Sequence, residues 1–542
     1  MMADIVSSPE HDNLAIELGW ENRNFLARTR GDSRFFGDTD GSRANLRGFI
    51  DPTELRASAF FSPDPDRVRV VVGRKGSGKT LFLRKLRDDV EHNPSVIFKG
   101  PMRAHVREAE QTQLISTEQV IRISHWFPES YLTEVWQACW GRAITLAAAT
   151  HLLYDREVSQ YVTTEAREDL IRFRSLMGGA KAARSPFTAL KGLIEGARSG
   201  QALMRRLNNP VWDDLETTIA DHLQGAPPLY FVLDAIDEDF AYAPAYWLRC
   251  QKGLFYESMR LLRNSRLGGR LHVLISIRDL VFFSVFQSEH ASRYIGDSHV
   301  FVLDWGQSSA RAFLEAKLRR LPRDLTDGNR VDSLAMWLGV SHIVNSLNEV
   351  EDVTSYLLRH TQCLPRDIVV FGNLMGAALK ASLNPVTTEN AFREVVSDVA
   401  RVSGLQQIRV VANQVIADEI PGGAAEQGYL ESYLAVREYK ATRGEQVIEI
   451  IRDAEYLRIK RDRLARLQDA GRRTFDAPDL ATILWQAGLL GTVSESGQVT
   501  FFSMDKLGRM RIPRDVLEYA FHPSMREVAG LKPLGATINW LA

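Results

Sequence analysis

The stretch "RVRVVVGRKGSGKTLFLRKLRDD", residues 67–89, decides how this chain is read. A run of β-branched residues leads into glycines set around a lysine, and a helical pattern follows. Gly73, Arg74, Lys75, Gly76, Ser77, Gly78, Lys79 and Thr80 satisfy G-x-x-x-x-G-K-[ST] at every position. Glycines let the backbone bend until successive N–H groups converge on phosphate oxygens. The helix that opens near Thr80 turns its N-terminus toward the same anion. In this reading the run from Gly73 to Leu81 contacts a nucleotide, and Lys79 neutralises β- and γ-phosphate charge. The Thr80 hydroxyl ligates Mg²⁺. The ligands expected from the motif are ATP and Mg²⁺.

A chain of 542 residues is too long for one ordinary core, so two to four domains are expected. With 45% hydrophobic and 25% charged residues, the composition is that of a globular protein. The formal net charge of -1 excludes a whole-molecule field for nucleic acid or membrane, so any such surface is local. Cys139, Cys250 and Cys363 are far apart in apolar or helical contexts, which argues for a reducing compartment, small buried residues and no zinc cluster. The N-terminus lacks a basic region followed by an apolar one, so it does not read as a signal peptide. The longest apolar candidate, "AITLAAATHLLY", is too short to span a bilayer. A cytoplasmic protein without membrane contact is expected.

From Val68 onward, short β-rich runs alternate with helical stretches: "VRVVV", "SVIFKG", "QVIRIS", "LYFVLD", "LHVLISI" and "HVFVLDW". Such alternation indicates an α/β fold with a parallel sheet, its strands apolar because both faces are covered. Residues 1–66 form a polar N-terminal segment with turns at "FFGDTDG" and "FFSPDPD". The core is expected over 67–310, with a helical insertion at about 126–228. A helical lid is expected over 311–400, and a helical and winged-helix domain over 401–542. In that last part, "DLATILWQAGLLG" reads as a helix ending at Gly491 and "TVSESGQVTFF" as a two-strand hairpin.

A phosphate loop needs a second strand that delivers a carboxylate to Mg²⁺, and "PLYFVLDAIDED", residues 228–239, is the best candidate. Asp234 stands at the carboxyl end of the apolar run, where open α/β sheets bind ligands. Asp237 and Glu238 follow; either can polarise an attacking water, with Glu238 first for its reach. The competing reading is an acidic cap of the next helix. Arg278, just past "LISI", is placed to face the γ-phosphate, and otherwise is a surface arginine. Arg293, in "EHASRYIGD", is a candidate arginine finger for a neighbouring subunit. Arg366, behind the helix-starting Pro365, is a candidate phosphate sensor in the lid.

Taken together, "GRKGSGKT", "VLDAIDE", "LISIRD", "FVLDW" and "LPRD" resemble the AAA+/STAND branch of P-loop ATPases over about residues 60–380, with Cys363 standing where that branch usually has glycine. Within it, the chain resembles prokaryotic ATPases of conflict systems, including antiphage defence, that end in a winged helix. The resemblance implies Mg²⁺-dependent ATP hydrolysis, assembly into homo-oligomers and an effector supplied by a partner protein. Two alternatives stand beside it. The basic stretches 455–475 and 506–514, with Arg458, Lys460, Arg461 and Arg463, suit a DNA-binding loader or initiator. The other is a nucleotide-locked scaffold with little turnover.

Overall fold

Val70–Gly73 (β1), Leu229–Leu233 (β3) and Leu271–Arg278 (β4) are buried at every position. With Ile97–Lys99 (β2) and Val300–Leu303 (β5) they make one sheet in the order β2-β3-β4-β1-β5. All four pairings are parallel. The expected α/β core is therefore present, and the burial of its inner strands confirms that the sheet is covered on both faces. The computed structural model describes residues 35–39, 46, 49–50, 69–91, 97–99, 117–173, 176, 185–226, 228–234, 244–267, 270–288, 293–294, 297–326, 328–381, 385–415, 442–475, 479–504 and 510–533.

The chain divides into two units. One comprises Gly41–Phe49 and Ala57–Leu303, and the other Met1–Asp40, Ile50–Arg56 and Asp304–Ala542. The expected N-terminal segment thus contributes to both.

In the first unit, Lys79–Glu91 (α1) follows β1, and the insertion supplies Thr117–Trp126 (α2), Glu129–Tyr154 (α3), Thr164–Ile171 (α4), Pro186–Glu195 (α5), Gly200–Leu207 (α6) and Val211–Leu223 (α7). Thr163, Ser185 and Ser199 cap α4, α5 and α6 by accepting from Ala166, Thr188 and Ala202 N–H groups. The insertion begins earlier than expected, because "QVIRIS" belongs to α2 and is not a strand. Gln119, Val120, Ile123 and Ser124 are buried while Arg122 is exposed, a period of 3.6 that a short Val/Ile run does not distinguish from a period of 2.

Pro244–Arg263 (α8) runs against α3, which is buried nearly all round. They approach closely at Gly253, where a Cβ would stand 2.7 Å from both the Gln137 nitrogen and Trp136 Cβ. Trp140 Nε1 donates to the Cys250 carbonyl at 3.1 Å. His151 of α3 lies on the ring of Phe231 in β3, with centroids 5.8 Å apart, so the insertion seats on the acidic strand. Cys139, Cys250 and Cys363 are buried, as expected, and none is in a disulfide. Burial pushes the Cys139 thiol up to about 12, which makes it inert.

Asp279–Phe286 (α9) follows β4 directly. In the second unit come Gln307–Leu318 (α10), Leu334–Leu338 (α11), a small antiparallel pair His342–Val344 (β6) and Val350–Asp352 (β7), Val353–His360 (α12), Pro365–Ala381 (α13) and Pro385–Val415 (α14). The boundary expected at residue 400 falls inside α14. A helix over 442–452 (α15) precedes Arg458–Lys460 (β8), Arg461–Phe475 (α16), Leu480–Gln486 (α17), Leu490–Val493 (β9), Val499–Thr500 (β10), Glu518–Phe521 (β11) and Ser524–Ala529 (α18). The strands form an antiparallel sheet in the order β10-β9-β11-β8. The hairpin expected at "TVSESGQVTFF" is β9–β10. The preceding helix stops sooner than expected: Gly488, at φ +71°, ends it, and Gly491 already lies in β9.

Gly253 offers a direct check of the α3–α8 crossing. An added methyl meets backbone there and not a flexible side chain, so Gly253→Ala is expected to destabilise this unit by about 1–3 kcal/mol. A lowered thermal midpoint by circular dichroism is the expected result, against a Gly192→Ala control whose Cβ meets nothing within 4 Å and whose midpoint holds or rises, since alanine is the better helix former.

Candidate nucleotide site

The glycine-rich loop after β1 is shaped by three glycines that side chains could not replace without strain. A Cβ on Gly73 would lie 2.4 Å from Ser77 Oγ and 3.2 Å from Leu303 Cβ. Gly76 and Gly78 have φ of +94° and +95°, a region that side chains avoid. The Ser77 N–H donates to the Arg74 carbonyl at 3.2 Å, and the Phe82 N–H to the Gly78 carbonyl at 3.0 Å, which opens α1. No acidic residue occupies the first turn of α1, so the positive end of the helix faces the loop uncompensated. Lys79 is buried, and its Nζ donates to the carbonyls of Gly73 at 2.9 Å and Arg74 at 3.1 Å. The ammonium is thus held across the mouth of the loop. Lys75, Thr80 and Leu81 are half-buried around it. Phe82 anchors the helix against Phe49 and Phe301, at 5.2 and 6.4 Å between centroids.

Strand order brings the other expected groups to the same sheet edge. β4 lies between β1 and β3, and its register sets Gly73 beside Arg278 and Leu233 beside Ile275. Asp234, the residue after β3, is 5% exposed. Ser276 Oγ donates to Asp234 Oδ1 at 2.5 Å, which fixes the orientation of that carboxylate. Ser276 is not among the residues that the sequence motifs single out. The two residues are 42 apart in the chain, and only the parallel register makes them partners. Arg278 is 7% exposed, so the alternative of a surface arginine is wrong: it is held at the junction of β4 and α9. The neighbouring Asp279 forms an ion pair with Arg74 at 3.8 Å, clasping the glycine-rich loop to the end of β4.

Asp237 and Glu238, the candidate bases, lie outside the described residues. Arg293 is exposed. Its position is set by Tyr294, which is buried against Phe255 at 5.0 Å, and by Arg263, whose Nη2 donates to the Arg293 carbonyl at 3.2 Å.

Arg366 belongs to the other unit, in the first turn of α13, which Pro365 opens as expected. The loop before it is unusual. Cys363 has φ +55°, a left-handed conformation that glycine adopts more readily than any side-chain-bearing residue. Asp367 Oδ2 accepts from the Gln362 N–H at 3.1 Å and from Ser403 Oγ at 2.9 Å, and His522 Nε2 meets the Thr361 carbonyl at 3.1 Å. Burial pushes the Asp367 carboxyl up to about 6, against the opposing pull of those two donors and Arg366.

Some of the basic C-terminal residues pair with acids. Arg458 pairs with Glu518 at 2.8 Å, Arg463 with Glu455 at 4.0 Å and Arg514 with Asp479 at 3.2 Å. Lys460 and Arg461 are exposed. Helix α17, which precedes the hairpin, carries no Lys or Arg and is mostly buried. Lys506 and Arg509 lie outside the described residues.

The raised pKa of Asp367 makes a pH prediction. Its folded value of about 6 exceeds the ordinary 3.8, so the folded state holds the proton more tightly. Stability therefore falls as pH rises between those values and stays reduced above them, by roughly 3 kcal/mol at full effect. Asp367→Asn keeps an acceptor for Gln362 and Ser403 without the charge. It is expected to flatten the dependence of thermal midpoint on pH between about 4 and 6. A searched set of protein-family models contains no match to this chain, and no curated protein matches it.

Proposed function

We propose that this protein binds and hydrolyses ATP as a Mg²⁺-dependent AAA+/STAND-type switch, acting as a homo-oligomer with an effector partner in bacterial defence. The observation that carries this reading is the single sheet edge at which the glycine loop with Lys79, the Ser276-held Asp234 and the buried Arg278 lie on adjacent strands. The donor set fits Mg²⁺: a hydroxyl at Thr80 and a buried carboxylate at Asp234, both hard oxygen ligands. Bound there, Mg²⁺ would neutralise charge on the β- and γ-phosphates.

The chain's own residues do the rest. The loop amides and Lys79 bind the phosphates, and Lys79 leaves the Gly73 and Arg74 carbonyls to do so. Ser276 keeps one carboxylate oxygen of Asp234 occupied and aims the other. Glu238, or Asp237, orients the water. Arg278 reads phosphate occupancy from the end of β4, next to the loop. Arg293 serves a neighbouring subunit as the finger, and Arg366 couples the lid to phosphate state. The order helix, strand, helix, helix, hairpin over α15, β8, α16, α17 and β9–β10 is read as a winged helix, serving here as a joint, since α17 offers no cation to DNA.

Phosphate release and nucleotide binding by the full chain with Mg-ATP test the proposal. Lys79→Ala is expected to lower turnover by at least about 100-fold and to weaken nucleotide binding. Glu238→Gln is expected to lower turnover with nucleotide still bound. Unchanged binding and turnover in Lys79→Ala would sink the proposal. Tight binding by wild type without turnover would select the nucleotide-locked scaffold instead.

A further inference from the structure

We propose that helix α13 carries a peptide-recognition notch that reads Phe-Phe-Gly as a detachable linear motif, occupied in this structure by the chain's own Phe35, Phe36 and Gly37. The site is independent of the nucleotide reading. All of its parts lie within the second unit.

The notch is made by absence of side chains. Gly372 and Gly376 stand one turn apart on α13. A Cβ on Gly372 would fall 2.1 Å from the Phe36 ring, and one on Gly376 would fall 2.4 Å from the Phe35 ring. Both glycines are in mid-helix, where alanine is the better helix former. The two rings that fill the space account for glycine at both positions. Phe36 is 2% exposed and also stacks on Trp337 of α11, with centroids 5.5 Å apart. Lys380 sits 4.8 Å over the Phe35 ring.

The backbone of the segment is read as a bound peptide is read. Residues 35–39 form neither helix nor strand, and three main-chain groups of Phe36 and Gly37 go to side chains. The Phe36 N–H donates to Asn373 Oδ1 at 2.8 Å, and Asn373 Nδ2 donates to the Gly37 carbonyl at 3.0 Å. Lys317 Nζ donates to the Phe36 carbonyl at 2.8 Å. One buried amide thus grips both sides of a peptide unit while two aromatic anchors fill the notch. That combination of main-chain bonds for affinity and pockets for side chains is how extended peptides are recognised. Gly37 has φ +105°, so the residue after the Phe pair must be glycine. The chain holds its own counter-example: Phe60-Phe61-Ser62-Pro63 repeats the aromatic pair, but serine before proline is confined to extended backbone.

The test is a titration of a fluorescein-labelled peptide of residues 31–42 into the full-length chain carrying Phe35→Ala and Phe36→Ala, read by anisotropy. Saturable one-to-one binding is expected. It should weaken at least tenfold when Gly372→Ala is added, and at least tenfold against the wild-type chain, whose own motif competes at high effective concentration. A labelled peptide of residues 56–66 should bind at least tenfold more weakly than the first. If the double variant fails to fold, Phe36→Ala alone is titrated in the same way. Absence of saturable binding to a folded variant overturns the proposal, because the segment is then part of the core. Equal binding of the two peptides overturns it as well, because the notch is then a plain apolar patch.

Discussion

The parallel pairing of β4 between β1 and β3 is the constraint on which the candidate site depends. The three strands are buried along their whole length, so the sheet offers chemistry only where they end. The register sets Gly73 beside Arg278, and Ser276 holds Asp234. A shift of β4 by one residue would turn Ser276 away from Asp234 and point its apolar neighbours at the wrong face. The tight packing of Gly73 under Ser77 and the Arg74–Asp279 pair then tie the loop to that same strand. Loop, carboxylate and arginine are therefore one mechanical object, although they are drawn from segments 160 or more residues apart between Gly73 and Asp234.

In the other unit, the short loop before α13 plays the corresponding part. Cys363 accepts a left-handed backbone, and the buried Asp367 holds the loop by the Gln362 N–H while it takes Ser403 from α14. His522, at the end of β11, meets the same loop at Thr361. Gly404 of α14 lets α18 approach until a Cβ would stand 2.8 Å from Val528. Arg366, in the first turn of α13, thus stands beside a loop gripped by residues far along the chain, and that grip ties α13 to the C-terminal elements within this unit. A carboxyl held protonated to near pH 6 at that junction costs stability when it ionises. Such buried polar contacts specify one arrangement of the loop more than they strengthen it.

Much of this was legible in the residues because local rules governed it. The glycine–lysine loop, the apolar runs of β1, β3, β4 and β5, and the hairpin at β9–β10 all follow from backbone preference and periodicity over a few residues. The misreadings occurred where local rules were silent or balanced. "QVIRIS" has apolar positions compatible with strand or helix, and packing of Val120 and Ile123 on one face decided for helix. Gly488 and Gly491 were both adequate helix stops, and pairing of β9 with β11 selected the first.

What the sequence by itself determined is the strand–loop–helix of residues 70–91, since glycine is the residue that adopts φ near +95° without strain and the pattern after Lys79 is helical. It also determined the alternation that makes the sheet parallel. What only the tertiary structure decided is which residues meet: Ser276 with Asp234, Arg278 with the loop's first glycine, and Phe36 with Gly372 across 336 positions. Such pairings depend on strand order and helix crossing, which are set by the packing of the whole unit. No window of neighbouring residues contains that information.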